Sequence, residues 1–249
     1  MLSVETIRFA NEQEALLVHV PQHTPADSIV AALKLPQPRA VICLNGGTAE
    51  LDEGLNTGLR RLMVDGLARV AAENSVTLVT GGTDAGIFSL LGAGLEKWGC
   101  KAPCLGVVPS TQVTWPGRSD GGETPLEPHH SHFIVVDGNN WGDETPMMYS
   151  VVQSLSQNCS SLAVFAGGGD ITLREMQANV KQGREMILIA GSGRNTDAVL
   201  NIRDGSASSV EVLREIASQG RIIRFEIDGS PEQFAQSLMS HMQLAAKSV

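Results

Sequence analysis

"VTLVTGGTDAGIFSLLGAGL" (residues 76–95) passes through three kinds of local chemistry in one short run. Val76 to Thr80 are β-branched or apolar without polar alternation, the pattern of a strand buried on both faces. Gly81, Gly82 and Gly86 then crowd the turn, and Ile87 to Leu95 are rich in apolar helix formers. Strand, glycine turn and helix make half of a parallel βαβ unit. Such a turn either cradles an anion on bare backbone amides or is a tight corner that needs positive φ.

The same rhythm repeats on both sides of this stretch. "AVICLNG" (40–46) predicts a strand ending in glycine, and "DEGLNTGLRRLMVDGLARVAAEN" (52–74) a helix with Leu55, Leu59, Leu62 and Val70 on one face. "CLGVVPS" and "HFIVVDG" predict strands, "ETPMMYSVVQSLSQ" a helix, "SLAVFAGGG" a strand and "TLREMQANVKQG" a helix. "EMILIAGSG" (strand), "SSVEVLREIASQG" (helix) and "RIIRFEID" (strand) follow, and a last helix has Ser230 as its cap and Pro231 in its first turn. Apolar strands alternating with helices indicate an α/β chain: a Rossmann-like, three-layer, open and mostly parallel sheet with helices on both faces. Residues 1–37 read as an N-terminal extension, a hairpin plus a helix begun by Thr24 and Pro25, packed on the core formed by 38–249.

Composition bounds the rest. The 249 residues are 42% hydrophobic and 18% charged, enough for a sizeable core. The net charge of -9 disfavours non-specific nucleic-acid binding, although backbone amides bind small anions on an acidic protein. No signal peptide and no run of membrane-spanning length is present, so a cytoplasmic location away from the membrane is expected. Cys100 and Cys104 lack a second pair, so no metal and no cofactor are expected. The apolar side of "ETPMMYSVVQSL" is a candidate surface for a homodimer.

In an open parallel sheet, ligands collect beyond the carboxyl ends of the strands. Five predicted strand ends carry small or polar loops: Gly46-Gly47-Thr48, Gly81-Gly82-Thr83 with Gly86, Asp137-Gly138, Gly168-Gly169 with Thr172, and Gly191-Ser192-Gly193-Arg194. None is a Walker loop or a GxGxxG fingerprint. Arg194 is a candidate phosphate clamp, and Asp197, three residues on, a candidate partner for it. Glu175 lies three residues after Thr172. It is either an acid/base or ribose-binding carboxylate, or the far half of a capping box. Among His129, His130 and His132, alternating directions in extended chain oppose a metal site; contact of one, His132, with a ligand phosphate or ribose is the alternative. The irregular stretch 110–131 is expected to be functional or mobile.

Taken in order, "AVICLNGGTAEL", "VTLVTGGTDAGIFSLLGAGL", "LGVVPS", "EPHHSHFIVVDG", "SLAVFAGGGDITLREM" and "ILIAGSGRNTDAV" resemble the SLOG-type domain in the cytosolic N-terminal region of melastatin-type TRP channels, in a stand-alone prokaryotic form. The resemblance implies a Rossmann-like fold that binds a nucleotide-derived ligand such as ADP-ribose. It implies contacts from Gly46, Gly47, Thr48, Gly81, Gly82, Thr83, Gly86, Gly191, Ser192, Gly193 and Arg194. The wider superfamily includes phosphoribohydrolases with a Pro-Gly-Gly-x-Gly-Thr-x-x-Glu motif. Here Gly168, Gly169, Thr172 and Glu175 are kept, while Gly167 and Ile171 replace the proline and the third glycine. N-glycosidic hydrolysis with Glu175 as the catalytic residue is the alternative that this second resemblance implies.

Overall fold

The computed structural model of the chain describes residues 2–47, 53–118 and 121–244. Nine strands form one sheet: β1 (Val4–Arg8), β2 (Glu14–Val20), β3 (Ala40–Gly46), β4 (Thr77–Thr80), β5 (Cys104–Pro109), β8 (His132–Val136), β9 (Ser160–Ala166), β10 (Glu185–Ala190) and β11 (Arg221–Glu226). Their order is β1-β2-β8-β5-β4-β3-β9-β10-β11, and every pairing is parallel except β1 with β2. The α/β reading with a mostly parallel sheet therefore holds. The N-terminal hairpin is part of this sheet, because β2 is bonded along β8 from Leu16 to Val20.

Alternate residues of each strand serve opposite layers. On β3, Val41 and Cys43 join a core closed by α1 (Ala26–Ala32), α5 (Thr145–Leu155), α6 (Asp170–Lys181), α7 (Arg194–Arg203) and α8 (Glu211–Gln219). Ala40, Ile42 and Leu44 face the other layer: α2 (Glu53–Arg61), α3 (Arg69–Asn74), α4 (Gly86–Lys97) and α9 (Pro231–His241). The expected single helix over 52–74 runs from α2 to α3 through a π-helical stretch at Leu62–Ala68. There Gly66 faces the Phe234 ring, which leaves no room for a Cβ.

Helix starts follow local rules in part. Ser230 and Gln233 form a reciprocal capping box on α9, with Pro231 in the first turn. Thr24 does not cap α1: Pro25 holds that position, and the Thr24 hydroxyl donates to the Pro21 carbonyl. The stretch 110–131 carries a short parallel pair, β6 (Val113–Thr114) and β7 (Thr124–Pro125), and Leu126 bridges to Thr83. The apolar side of α5, the candidate dimer surface, is spent within the chain. Met147, Met148, Val151, Val152 and Leu155 are buried in the first core.

The chain runs from β3 outward through β4 and β5 to β8, then returns to place β9 on the other side of β3. The crevice between β3 and β9 is thus the topological switch point, where open α/β sheets accept ligands. No helix among the described residues is long and apolar enough to cross a membrane.

Candidate functional site

A cavity of about 600 Å³ opens at that switch point, above the carboxyl ends of β3 and β4. Gly46 and Gly47 form its floor, with Gly81, Thr83, Ala85 and Phe88 on one side. Gly169, Asp170, Ile171, Thr172 and Glu175 supply the opposite side, and Trp141, Glu144, Thr124 and Arg194 complete the mouth.

Three helices start at this cavity: α4, α6 and α7. Their cap residues, Ala85, Gly169 and Gly193, make no side-chain capping bond. Some first-turn amides find backbone acceptors, the Ile87 N–H on Gly47 O (3.4 Å) and the Asn195 N–H on Gly168 O (3.3 Å), but a helix start carries about half a positive charge, so the convergence favours an anion. Arg194 adds a full charge. It is the first residue of α7 and is held at φ 51, a conformation uncommon for a residue with a side chain.

The glycines divide by role. A Cβ on Gly46 would overlap the Ala166 carbonyl oxygen, and one on Gly168 would overlap the Thr172 hydroxyl. A Cβ on Gly82 would sit 2.6 Å from the Gly106 Cα. These three are close-packing glycines. A Cβ on Gly169 would meet nothing within 4 Å.

Amides are also partly spoken for. The Gly47 N–H donates to Ala166 O (3.0 Å) and the Gly82 N–H to Thr80 Oγ1 (2.9 Å). In the Gly191–Gly193 loop, Asp197 Oδ1 accepts from the Gly191 N–H (2.8 Å) and Oδ2 from the Gly193 N–H (2.9 Å). Asp197 therefore plugs the loop it follows, where pairing with Arg194 was expected. Ser192 is bound inward: its Oγ donates to Ile189 O and accepts from the Gly167 N–H. This loop offers the cavity its arginine, not its amides.

Eight of the expected residues line the one cavity: Gly46, Gly47, Gly81, Thr83, Gly169, Thr172, Glu175 and Arg194. Thr48 lies outside the described residues. Gly82, Gly86 and Gly168 shape the neighbouring turns at positive φ. Asp137 stands at the carboxyl end of β8 but lines a separate depression with His23 and Ser110, and its Oδ1 meets His19 Nε2 at 2.8 Å. His132 opens β8 and so stands at the opposite end of that strand from Asp137, away from the rim. Burial holds its imidazole down, to about 4.

The capping-box alternative for Glu175 does not arise. Helix α6 starts at Asp170 after the Gly169 cap, which puts Glu175 in the second turn, buried. Burial, then the nearby charge of Glu144, raises its carboxyl to about 8, while the Thr172 hydroxyl pulls it down. Glu144 is a second buried carboxyl in the same cavity. Burial first, with Asp143 adding, raises it to about 7 against bonds from backbone amides, including the Gly142 N–H at 2.8 Å. Below Glu175 lies a buried polar chain. Tyr149 Oη donates to Asn45 Oδ1 (3.0 Å), Asn179 Nδ2 to Tyr149 Oη (2.9 Å) and Arg184 to Asn179 Oδ1 (2.9 Å).

Trp141 and Glu144 were missed from sequence. Both sit in "GNNWGDETP", between a strand and a helix, and the available signal was a large aromatic among loop residues. Trp141 stays 38% exposed at the mouth of the cavity.

The comparisons with known proteins agree with this architecture. Similar chains include the mouse transient receptor potential cation channel subfamily M member 2, 22% identical over 78% of this chain and 16% of the channel. A Caenorhabditis elegans transient receptor potential channel is 23% identical over 86% of this chain and 12% of its own length. Rat subfamily M member 4 is 25% identical over 78% of this chain and 19% of the channel. The chain thus matches less than a fifth of each of these relatives. The model of one family matches residues 39–236, from the start of the central strands into the last helix, and on that match the chain belongs to the family described as SLOG in TRPM, prokaryote.

Proposed function

We propose that this domain captures a nucleotide-derived ligand carrying a diphosphate, of the ADP-ribose type, in the cavity at the switch point. What carries the reading is the meeting of two helix starts without side-chain caps, those of α4 and α6, with Arg194 around one opening. The cavity volume falls within the range of small-molecule sites. Trp141 and Phe88 supply flat apolar walls against which a base stacks, and the diphosphate lies toward the helix starts and Arg194. The Thr83 Oγ1, buried on the same wall with no partner in the protein, is a polar atom that a ligand would satisfy.

Calorimetric titration with ADP-ribose tests the reading. Saturable binding is expected, and Arg194→Ala should weaken it by about tenfold to a hundredfold, the worth of a charge-assisted phosphate contact. Binding of equal strength in the variant, or no binding of any diphosphate nucleotide, defeats it.

One observation favours a second reading. Glu175 is a buried carboxyl that holds its proton at neutral pH, the state a general acid needs to protonate a departing base. On that reading the protein hydrolyses an N-glycosidic bond. Released base, measured by chromatography, would then fall by at least about a hundredfold in Glu175→Gln. No release by the unaltered protein removes the hydrolase and leaves the binding role.

A further inference from the structure

The cavity combines elements that attract an anion with three acidic side chains: the buried Glu144 and Glu175, and Asp170, exposed to solvent. The starts of α4 and α6, worth about half a charge each, together with Arg194, roughly balance the two charges of a diphosphate. If Glu144 and Glu175 were both ionised, the filled cavity would carry an excess of more than one negative charge in a partly desolvated space. With both protonated, Asp170, exposed to solvent, is the one acidic side chain of the lining left to oppose the ligand.

We propose that Glu144 and Glu175 meet the ligand as neutral carboxylic acids that donate hydrogen bonds to its anionic oxygens, so that capture takes up protons from solvent and weakens as the pH rises. The proposal rests on the diphosphate reading of the cavity. It stands on the placement of both groups. Glu144, the cap residue before α5, and Glu175, on α6, both line the cavity, and both are buried. Glu144 Oε2 accepts from the Gly142 N–H, which anchors the carboxyl at the cavity. Thr83, also in the lining, has a buried Oγ1 with no partner in the protein, and a rotation of its side chain would turn this hydroxyl toward a ligand.

The surrounding charges leave this pair as the one that titrates near neutrality. Asp143 adds to the negative field at Glu144, and Asp170 is an exposed carboxylate at the first turn of α6. Arg174 and Arg194 are exposed cations at the mouth. Underneath, Cys43 is pushed up to about 12 and Tyr149 well above its usual value, both chiefly by burial, so both are neutral. Arg184 is tied to Asn179 and Ser161 at the far end of the buried polar chain. Burial, with Asp143 adding, places the ionisation of Glu144 at about 7, and burial, with Glu144 adding, places that of Glu175 at about 8. A ligand that requires the protonated pair should bind progressively worse above these values.

The test is titration of the full chain with ADP-ribose, whose diphosphate keeps the same charge from pH 7 to pH 9. Affinity should fall at least about tenfold over that interval, and calorimetry at pH 8 in two buffers of different ionisation enthalpy should record net proton uptake. Glu175→Gln keeps a neutral donor, so it should bind at pH 9 more tightly than the unaltered protein and lose the upper part of the pH dependence. Glu144→Gln, measured alongside, should flatten the lower part of the curve. Equal affinity at pH 7 and pH 9 without proton uptake overturns the proposal and spares the diphosphate reading. An unchanged pH slope in both variants overturns it too, because the titration then belongs to other groups. Absence of binding at every pH overturns the diphosphate reading and this proposal with it.

Discussion

Gly46→Ala should cost at least about 3 kcal/mol of stability, while Gly169→Ala on the opposite wall of the same cavity should cost about 1 kcal/mol or less. Gly46 closes β3 at φ 151, paired with Ala166 of β9, and its own α-carbon faces the Ala166 carbonyl oxygen so closely that any side chain would overlap it. Relief would require β3 and β9 to separate at the centre of the sheet, next to the Ile87 side chain, where both cores meet. Positive φ adds its own cost for a residue with a Cβ. Gly169 has φ -101 and open space where a Cβ would stand, so alanine gives up only the modest capping advantage of glycine. For a chain of this size the first change should lower the melting temperature by about 6 °C or more, and the second by at most about 4 °C. Equal melting temperatures for the two variants would show that the glycines of this rim are interchangeable. They would also show that close packing does not select residue 46.

That contrast marks where sequence stops being informative. Apolar runs without alternation reveal a parallel sheet because a strand buried on both faces has no use for polar residues, and the runs around Val41, Val79, Val164 and Ile187 all obey this. The rim follows from the same pattern, since glycine loops at strand ends must collect on one edge. What the pattern does not carry is the use of each loop. Gly-Ser-Gly-Arg looks like an amide cradle until Asp197, one helical turn later, is seen to occupy two of its N–H groups. His132 looks like a rim residue because it adjoins a strand ending in Asp137, yet it lies at the wrong end of that strand. Glu144 gives no sequence signal as an active group. Its character comes from burial beside Glu175, a residue 31 positions away. Helix α4, by contrast, was placed correctly, but the small Gly92 within it reveals its purpose only in three dimensions, where the Glu127 carboxylate packs against it.

Replacing His130 by alanine should be among the most destabilising single changes in the protein, by about 3–5 kcal/mol, although His130 is not in the lining of the cavity at the switch point. Its ring is fully buried between two partners: Nδ1 lies 2.7 Å from Glu127 Oε2 and Nε2 lies 2.7 Å from Thr80 Oγ1. Thr80 already accepts from the Gly82 N–H, so its own hydrogen goes to Nε2, and Nδ1 then carries the proton that Glu127 accepts. The chain from carboxylate to imidazole to hydroxyl to amide thus ends on the glycine turn of the cavity wall. The Glu127 N–H returns to Gly82 O at 3.0 Å and closes the loop from the other side. Removing the ring leaves a void beside Phe133, an unmatched Thr80 hydroxyl and a buried carboxylate with only His129 to hold it. Urea unfolding of His130→Ala measures the loss, and a change within about 0.5 kcal/mol would refute the role assigned to this chain. The pH dependence has a definite sign. Burial alone would raise the Glu127 carboxyl, but the hydrogen bonds from His130 and His129 outweigh it and hold the group below its ordinary 4.5. A carboxyl depressed in the folded state stabilises fully above its unfolded value and loses that contribution as pH falls through the folded one. Stability should therefore drop on acidification below about pH 4.5, and Glu127→Gln, which cannot titrate, should show a shallower acid limb from a lower starting stability. Because the same side chain fixes Gly82, ligand affinity should fall along with it in both variants, even though neither residue touches the cavity.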